Sequence, residues 1–149
     1  MNRARAVGVA AALIALAAAT AATAAAPTSV RLSGHVAGDK ETTVRVSAVP
    51  NRDGATKVLK RFRFKKVLAN CDGSSEPQRI TIKLTGRIPV ADDRTYKRSF
   101  DGGTSGLVKV SGQVSRNGAR TVGVVRSPAI EVSGVGVCKL PATSFAARA

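Results

Sequence analysis

Tryptophan is absent from the 149 residues, and one tyrosine and four phenylalanines are the only aromatics. Single-stranded nucleic acid is usually held on aromatic stacking platforms, so this scarcity argues against a nucleic-acid partner. Histidine occurs once, as His35, and cysteine twice, as Cys71 and Cys138. These three residues cannot furnish a tetrahedral zinc site without carboxylates, and neither a metal nor a cofactor is expected. Acids are scarce as well, with nine Asp and Glu against 24 Lys and Arg, a formal net charge of +15. There is no phosphate-cradling glycine loop and no Gly-x-Ser-x-Gly elbow. Asp92-Asp93 has the look of a paired-carboxylate site, but adjacent turn residues point apart and turn aspartates commonly serve local hydrogen bonds. Asp101-Gly102-Gly103 lacks the regular acidic spacing of a calcium loop. No spacing singles out a serine or an acid to work with His35. The chain therefore reads as non-enzymatic, and a hydrolase built on His35 is the enzyme alternative.

What is present begins with a leader. "NRAR" at 2–5 supplies two positive charges, and "VGVAAALIALAAATAATAAA" follows from Val7 to Ala26 without any. A basic start, an apolar stretch and a small-residue end make a secretory signal peptide, cut after Ala24 or Ala25. The competing reading is an uncleaved anchor, since the stretch is long enough to span a bilayer, but it is mostly alanine. No cysteine offers a lipid attachment point there, and the two arginines are not adjacent. On this reading residues 1–25 leave and residues 26–149 form the mature protein, one domain of about 125 residues with room for a core. Loss of Arg3 and Arg5 takes the 24 basic residues to 22, against nine acidic ones, so the net charge becomes +13. Such a balance favours anionic surroundings such as cell-wall polymers, nucleic acid, acidic lipid or acidic proteins. Two cysteines in a secreted chain usually pair. The alternatives are two free thiols or an intermolecular bridge.

Apolar residues alternate through the mature chain. Val30, Leu32 and Val36 share one parity; so do Val44, Val46 and Ala48; so do Ile80, Ile82, Leu84, Ile88 and Val90; so do Val108, Val110 and Val114. Val122 and Val124 follow, then Ile130 and Val132. A period of two is the strand signature, and no stretch carries a helical stripe. Short strands at steady spacing predict an all-β domain, a single antiparallel sandwich of immunoglobulin-like or similar Greek-key type. "VSGQVSRNGARTVGVV" predicts a hairpin with Asn117-Gly118 in its turn. A two-residue loop places Val122 opposite Gln113. A three-residue loop of Arg116, Asn117 and Gly118 places Val122 opposite Gly112 and Val124 opposite Val110, and it is preferred because it keeps valines on one face. "ADDRTYKRSFDGGTSG", 91–106, reads as the longest irregular loop. It supplies the binding alternative, a protein-interaction or inhibitor surface.

The densest charge lies in "VLKRFRFKKVLANCDG", 58–73. Wound as a helix, its apolar residues fall on opposite sides. Extended, Val58, Phe62, Phe64 and Leu68 share one face, and Lys57, Arg61, Arg63 and Lys65 share the other. Only Lys60 and Lys66 fall on the wrong parity. The phenylalanines are thus core, and the four cations form an outer face. Like charges on alternate positions repel unless acids or a polyanion sit opposite, and acids are few. Lys57, Arg61, Arg63 and Lys65 are therefore the candidate polyanion-binding residues; the competing reading is a solvated outer face without a dedicated ligand. The expected role is a secreted binding module for anionic envelope or extracellular polymers. Nothing in the sequence bears on its oligomeric state.

"FRFKKVLANCDG", "ITIKLTGRIPV", "VSGQVSRNGARTVGVV" and "GVGVCKLPATSFAARA" follow one another in a recurring order. A Phe-x-Phe strand precedes a first cysteine; an apolar strand, a later Phe100, an Asn-Gly hairpin, a second cysteine and a closing Phe145-Ala146 strand come after. Over residues 40–148 this order resembles the small secreted β-sandwich proteins of high-GC Gram-positive bacteria. The resemblance implies a sandwich with one disulfide, Cys71 to Cys138, and no particular activity. The density of Lys and Arg at 57–66 departs from that pattern.

Overall fold

A computed structural model describes residues 28–103 and 106–149; the leader lies outside them. The described chain is all-β, with eight strands: β1 (Val30–Val36), β2 (Asp39–Pro50), β3 (Thr56–Cys71), β4 (Gln78–Pro89), β5 (Thr95–Asp101), β6 (Leu107–Val114), β7 (Arg120–Val132) and β8 (Gly136–Arg148). They form one antiparallel sheet in the order β4-β3-β2-β1-β8-β7-β6-β5. The far end of β3 also pairs with the start of β8, Asn70 with Lys139 and Cys71 with Cys138. That pairing closes a ring through β3, β2, β1 and β8. All-β and antiparallel match the expectation from periodicity. Two separate sheets joined by a Greek-key crossover do not describe this hydrogen bonding. Every connected pair of strands lies side by side except β4 and β5, the two edges. Strand spacing along a sequence is the same for a sandwich and a ring, so alternation leaves the choice open. Where the two edges meet, Arg98 of β5 donates to the Arg87 carbonyl of β4, with its guanidinium 5.2 Å from the Phe100 ring.

One core fills the interior. Leu32, Val44, Val46, Ala48, Ile80, Ile82, Leu84, Ile88, Val108, Val110 and Val114 are all buried, on the parity that alternation assigns. At its centre Phe62 packs on Phe64, Tyr96 and Phe145 with ring centroids 6.2, 5.9 and 5.9 Å away, and Phe64 meets Phe145 edge-on at 5.2 Å. Room for these rings comes from glycines. Tyr96, Gly112, Gly123 and Phe145 are successive cross-strand partners on β5, β6, β7 and β8. A Cβ at Gly123 would lie 2.8 Å from both the Phe145 ring and the Tyr96 hydroxyl. Strand glycines mark such close approaches.

Three expectations need correction. The β6–β7 hairpin does not adopt the preferred register: Val122 faces Gln113 and Val124 faces Ser111. Thr121 and Val125 point inward and are fully buried, while Val122 is exposed. The four residues 116–119 form the turn, with Ser115 and Arg120 joined across its base. Counting valines favoured the other register because Thr121 looks polar. Its hydroxyl in fact meets Tyr96 Oη at 2.9 Å and donates to the Gln113 carbonyl at 3.1 Å.

The second correction concerns β3. Leu59 and Val67 are buried, whereas Val58 is half-buried and Leu68 exposed. The parity changes at two β-bulges, between Leu59 and Arg61 against β2 and between Phe64 and Val67 against β4. The two lysines on the wrong parity, Lys60 and Lys66, are the inserted residues. Each bulge adds one residue and bends the strand.

The third is the supposed loop over 91–106. Its middle is β5, with a short turn before it. Tyr96 and Phe100 point inward, and Arg98 interrupts the apolar alternation that would have revealed the strand.

Candidate functional site

On the outer face of β3, bulging decides which cations stand together. Arg61, Arg63 and Lys65 lie between the two bulges, on consecutive outward positions. Neighbouring strands extend this group sideways. Arg63 is flanked by Arg45 on β2 and Lys83 on β4, so three cations stand directly abreast. Arg61 stands between Ser47 and Thr85, and Lys65 beside Thr43. Like charges directly opposite destabilise an antiparallel pair, and no ion pair among the described residues offsets them. Among the described residues the ion pairs are Lys57–Asp92, Arg79–Asp39 and Arg79–Glu41, at 3.2, 3.1 and 3.4 Å. None includes Arg45, Arg61, Arg63, Lys65 or Lys83. The Nε of Arg63 is buried and has no hydrogen-bond partner.

Lys57 stands apart from the other three predicted residues. It lies beyond the Lys60 bulge and pairs with Asp92 in the turn before β5. Sequence reasoning missed Arg45 and Lys83. Both sit on the outward parity of their strands, a signal that was available, but only the strand order puts them beside Arg63.

The remaining polar candidates serve local structure. Asp93 accepts from the Thr95 amide at 3.0 Å and the Thr95 hydroxyl at 2.6 Å, and these bonds hold its carboxyl below the usual range. Asp101 accepts from the Gly103 amide at 3.0 Å. His35 is exposed on β1, and its Nδ1 donates to the Thr42 carbonyl at 3.1 Å. It lines a cleft of about 670 Å³ between β1 and β8 that includes Ser33 and Ser144 and no carboxylate. Among the described residues no three His, Cys, Asp or Glu are grouped as a metal would need.

Cys71 and Cys138 form the disulfide, with an S–S distance of 2.07 Å. The bond sits where β3 meets β8, so it clamps the closure of the ring.

Comparison with family models, with curated proteins and with solved structures finds no match in any of the three.

Proposed function

We propose that this chain is exported through a signal peptide at residues 1–25. The mature β-domain then acts as a non-enzymatic binding module for anionic envelope or extracellular polymers. The observation that carries the reading is the outer face centred on Arg63. Arg45, Arg61, Lys65 and Lys83 surround it, and no ion pair among the described residues neutralises any of them. A stripe of mutual repulsion is stabilised when a polyanion lies across it. The inhibitor alternative loses its supporting feature, since the middle of 91–106 is a strand and not a free loop.

The test is co-sedimentation of the oxidised mature protein with purified cell walls at low and high salt, beside the triple variant R61Q/R63Q/K65Q. Binding that weakens with salt and disappears in the variant supports the reading, because screening acts over about 10 Å at moderate ionic strength. Absence of binding at low salt refutes it.

A further inference from the structure

The cationic row through Arg63 does not end at β2. Arg45 pairs with Ser33 on β1, Ser33 with Arg148 on β8, and Arg148 with Arg120 on β7. Lys83, Arg63, Arg45, Ser33, Arg148 and Arg120 therefore form one cross-strand row over six neighbouring strands. All point outward: Leu32, Val44, Val46, Phe62, Phe64, Leu84, Thr121 and Ala147, their neighbours along the chain, are buried. At about 4.8 Å per strand the row runs about 24 Å. It crosses the lip of the β1–β8 cleft, which Arg45, Arg120 and Arg148 line together with Ser33. Its members come from both ends of the chain, and none takes part in an ion pair among the described residues.

We propose that this transverse row is a track for one linear polymer, a flexible polyol-phosphate chain laid across the strands. The proposal rests on the polyanion reading above and specifies its occupant. Four of the five cations are arginines, whose planar fork grips a phosphate through two parallel bonds. The row follows a sheet that curls into a ring, so the occupant must bend, which acyclic phosphodiesters do and chains of sugar rings resist. The aromatic rings are no platform for bases or sugars: Phe62, Phe64, Tyr96 and Phe145 are buried, and Phe100 is covered by Arg98. Recognition is left to charge and to hydrogen bonds from guanidinium groups and Ser33.

The experiment measures affinity of the mature protein for purified poly(glycerol phosphate) against salt. It compares wild type with R120Q/R148Q, at the far end of the row, and with R61Q/K65Q, beside the row on β3. Polygalacturonate, a polycarboxylate of sugar rings, is the control ligand. By the counterion-release rule for single strands, five engaged cations give a log–log salt slope of about −3.5, and removal of two reduces it to about −2. The expected result is a loss of about tenfold or more for R120Q/R148Q at low salt, with that shallower slope. R61Q/K65Q should lose less, the charge-keeping R120K/R148K should retain the wild-type salt slope but lose part of the affinity because lysine cannot form the two parallel bonds, and polygalacturonate should bind more weakly. Wild-type affinity in R120Q/R148Q, with binding lost in R61Q/R63Q/K65Q, overturns the track and leaves the β3 face standing. Equal affinity for polygalacturonate overturns the choice of polyol phosphate. No binding of either polymer by wild type overturns the track and the polyanion reading together.

Discussion

Tyr96 carries its hydroxyl into the core and satisfies it there on Thr121. Burial pushes its pKa from 10.0 up to about 12, against a smaller opposing effect of the Thr121 bond. A raised pKa means that the folded protein holds this proton more tightly than the unfolded chain. The associated stability is complete below the unfolded value of 10.0 and is lost as pH rises through about 12. Wild type should lose about 1 kcal/mol between about pH 7 and about pH 11 through this residue. Tyr96→Phe should cost about 1 kcal/mol near neutrality by taking a partner from buried Thr121, and it should lack that alkaline loss. Urea titrations of both proteins at the two pH values check this. Parallel alkaline losses in the two would show that another group governs.

Among the strands, β3 is the one whose shape matters most. Lys66 has φ of 60°, in the left-handed region. Its carbonyl lies 2.9 Å from Thr42 Oγ1 and accepts from Arg79 Nη1 at 2.9 Å, and Asp39 holds both groups at 2.6 and 3.1 Å. The bulge is thus buttressed by three side chains, and it turns the end of β3 toward β8. A non-glycine residue in this conformation costs about 1–3 kcal/mol, most for a β-branched one. Lys66→Gly should leave stability unchanged or raise it by about 1 kcal/mol, the relief being partly offset by unfolded-chain entropy. Lys66→Val should lower stability by about 1–2 kcal/mol. Chemical denaturation midpoints decide the matter: two equal variants would mean that the bulge moves when its residue changes.

Across the whole molecule, closure rests on β3 reaching β8 and on Cys71–Cys138, which links residues 67 apart in sequence. In the loop-entropy model such a cross-link restricts the unfolded chain by about 4 kcal/mol, a large part of a domain's usual stability. Replacing both cysteines with alanine should lower the unfolding free energy by about that amount, read from urea titration. Thiol titration of denatured, unreduced protein should find no free thiol, in keeping with the absence of free cysteines among the described residues. A loss below about 1 kcal/mol would show that hydrogen bonding of β3 to β8 holds the ring unaided. Elsewhere in the ring, the pairing of β1 with β8 brings Arg148 and Arg120 into line with Arg45 and Arg63.

The order of residues by itself determined most of the strands, β5 excepted, and, in β2, β4 and β6, which face each side chain takes, because a pleated strand turns successive residues to opposite sides. It determined too that Phe62 and Phe64 are core and that Arg61, Arg63 and Lys65 are not. The parity rule fails wherever one residue is inserted, and so it misplaced Val58 and Leu68 around Lys60 and Lys66. It also misread Thr121, whose polar group is satisfied only by partners from β5 and β6. Strand order, the closure of β3 on β8, and the alignment of Lys83, Arg63, Arg45, Ser33, Arg148 and Arg120 were decided by tertiary structure alone. These are pairings between residues far apart in the chain, and alternation within one strand holds no information about which strand lies beside it.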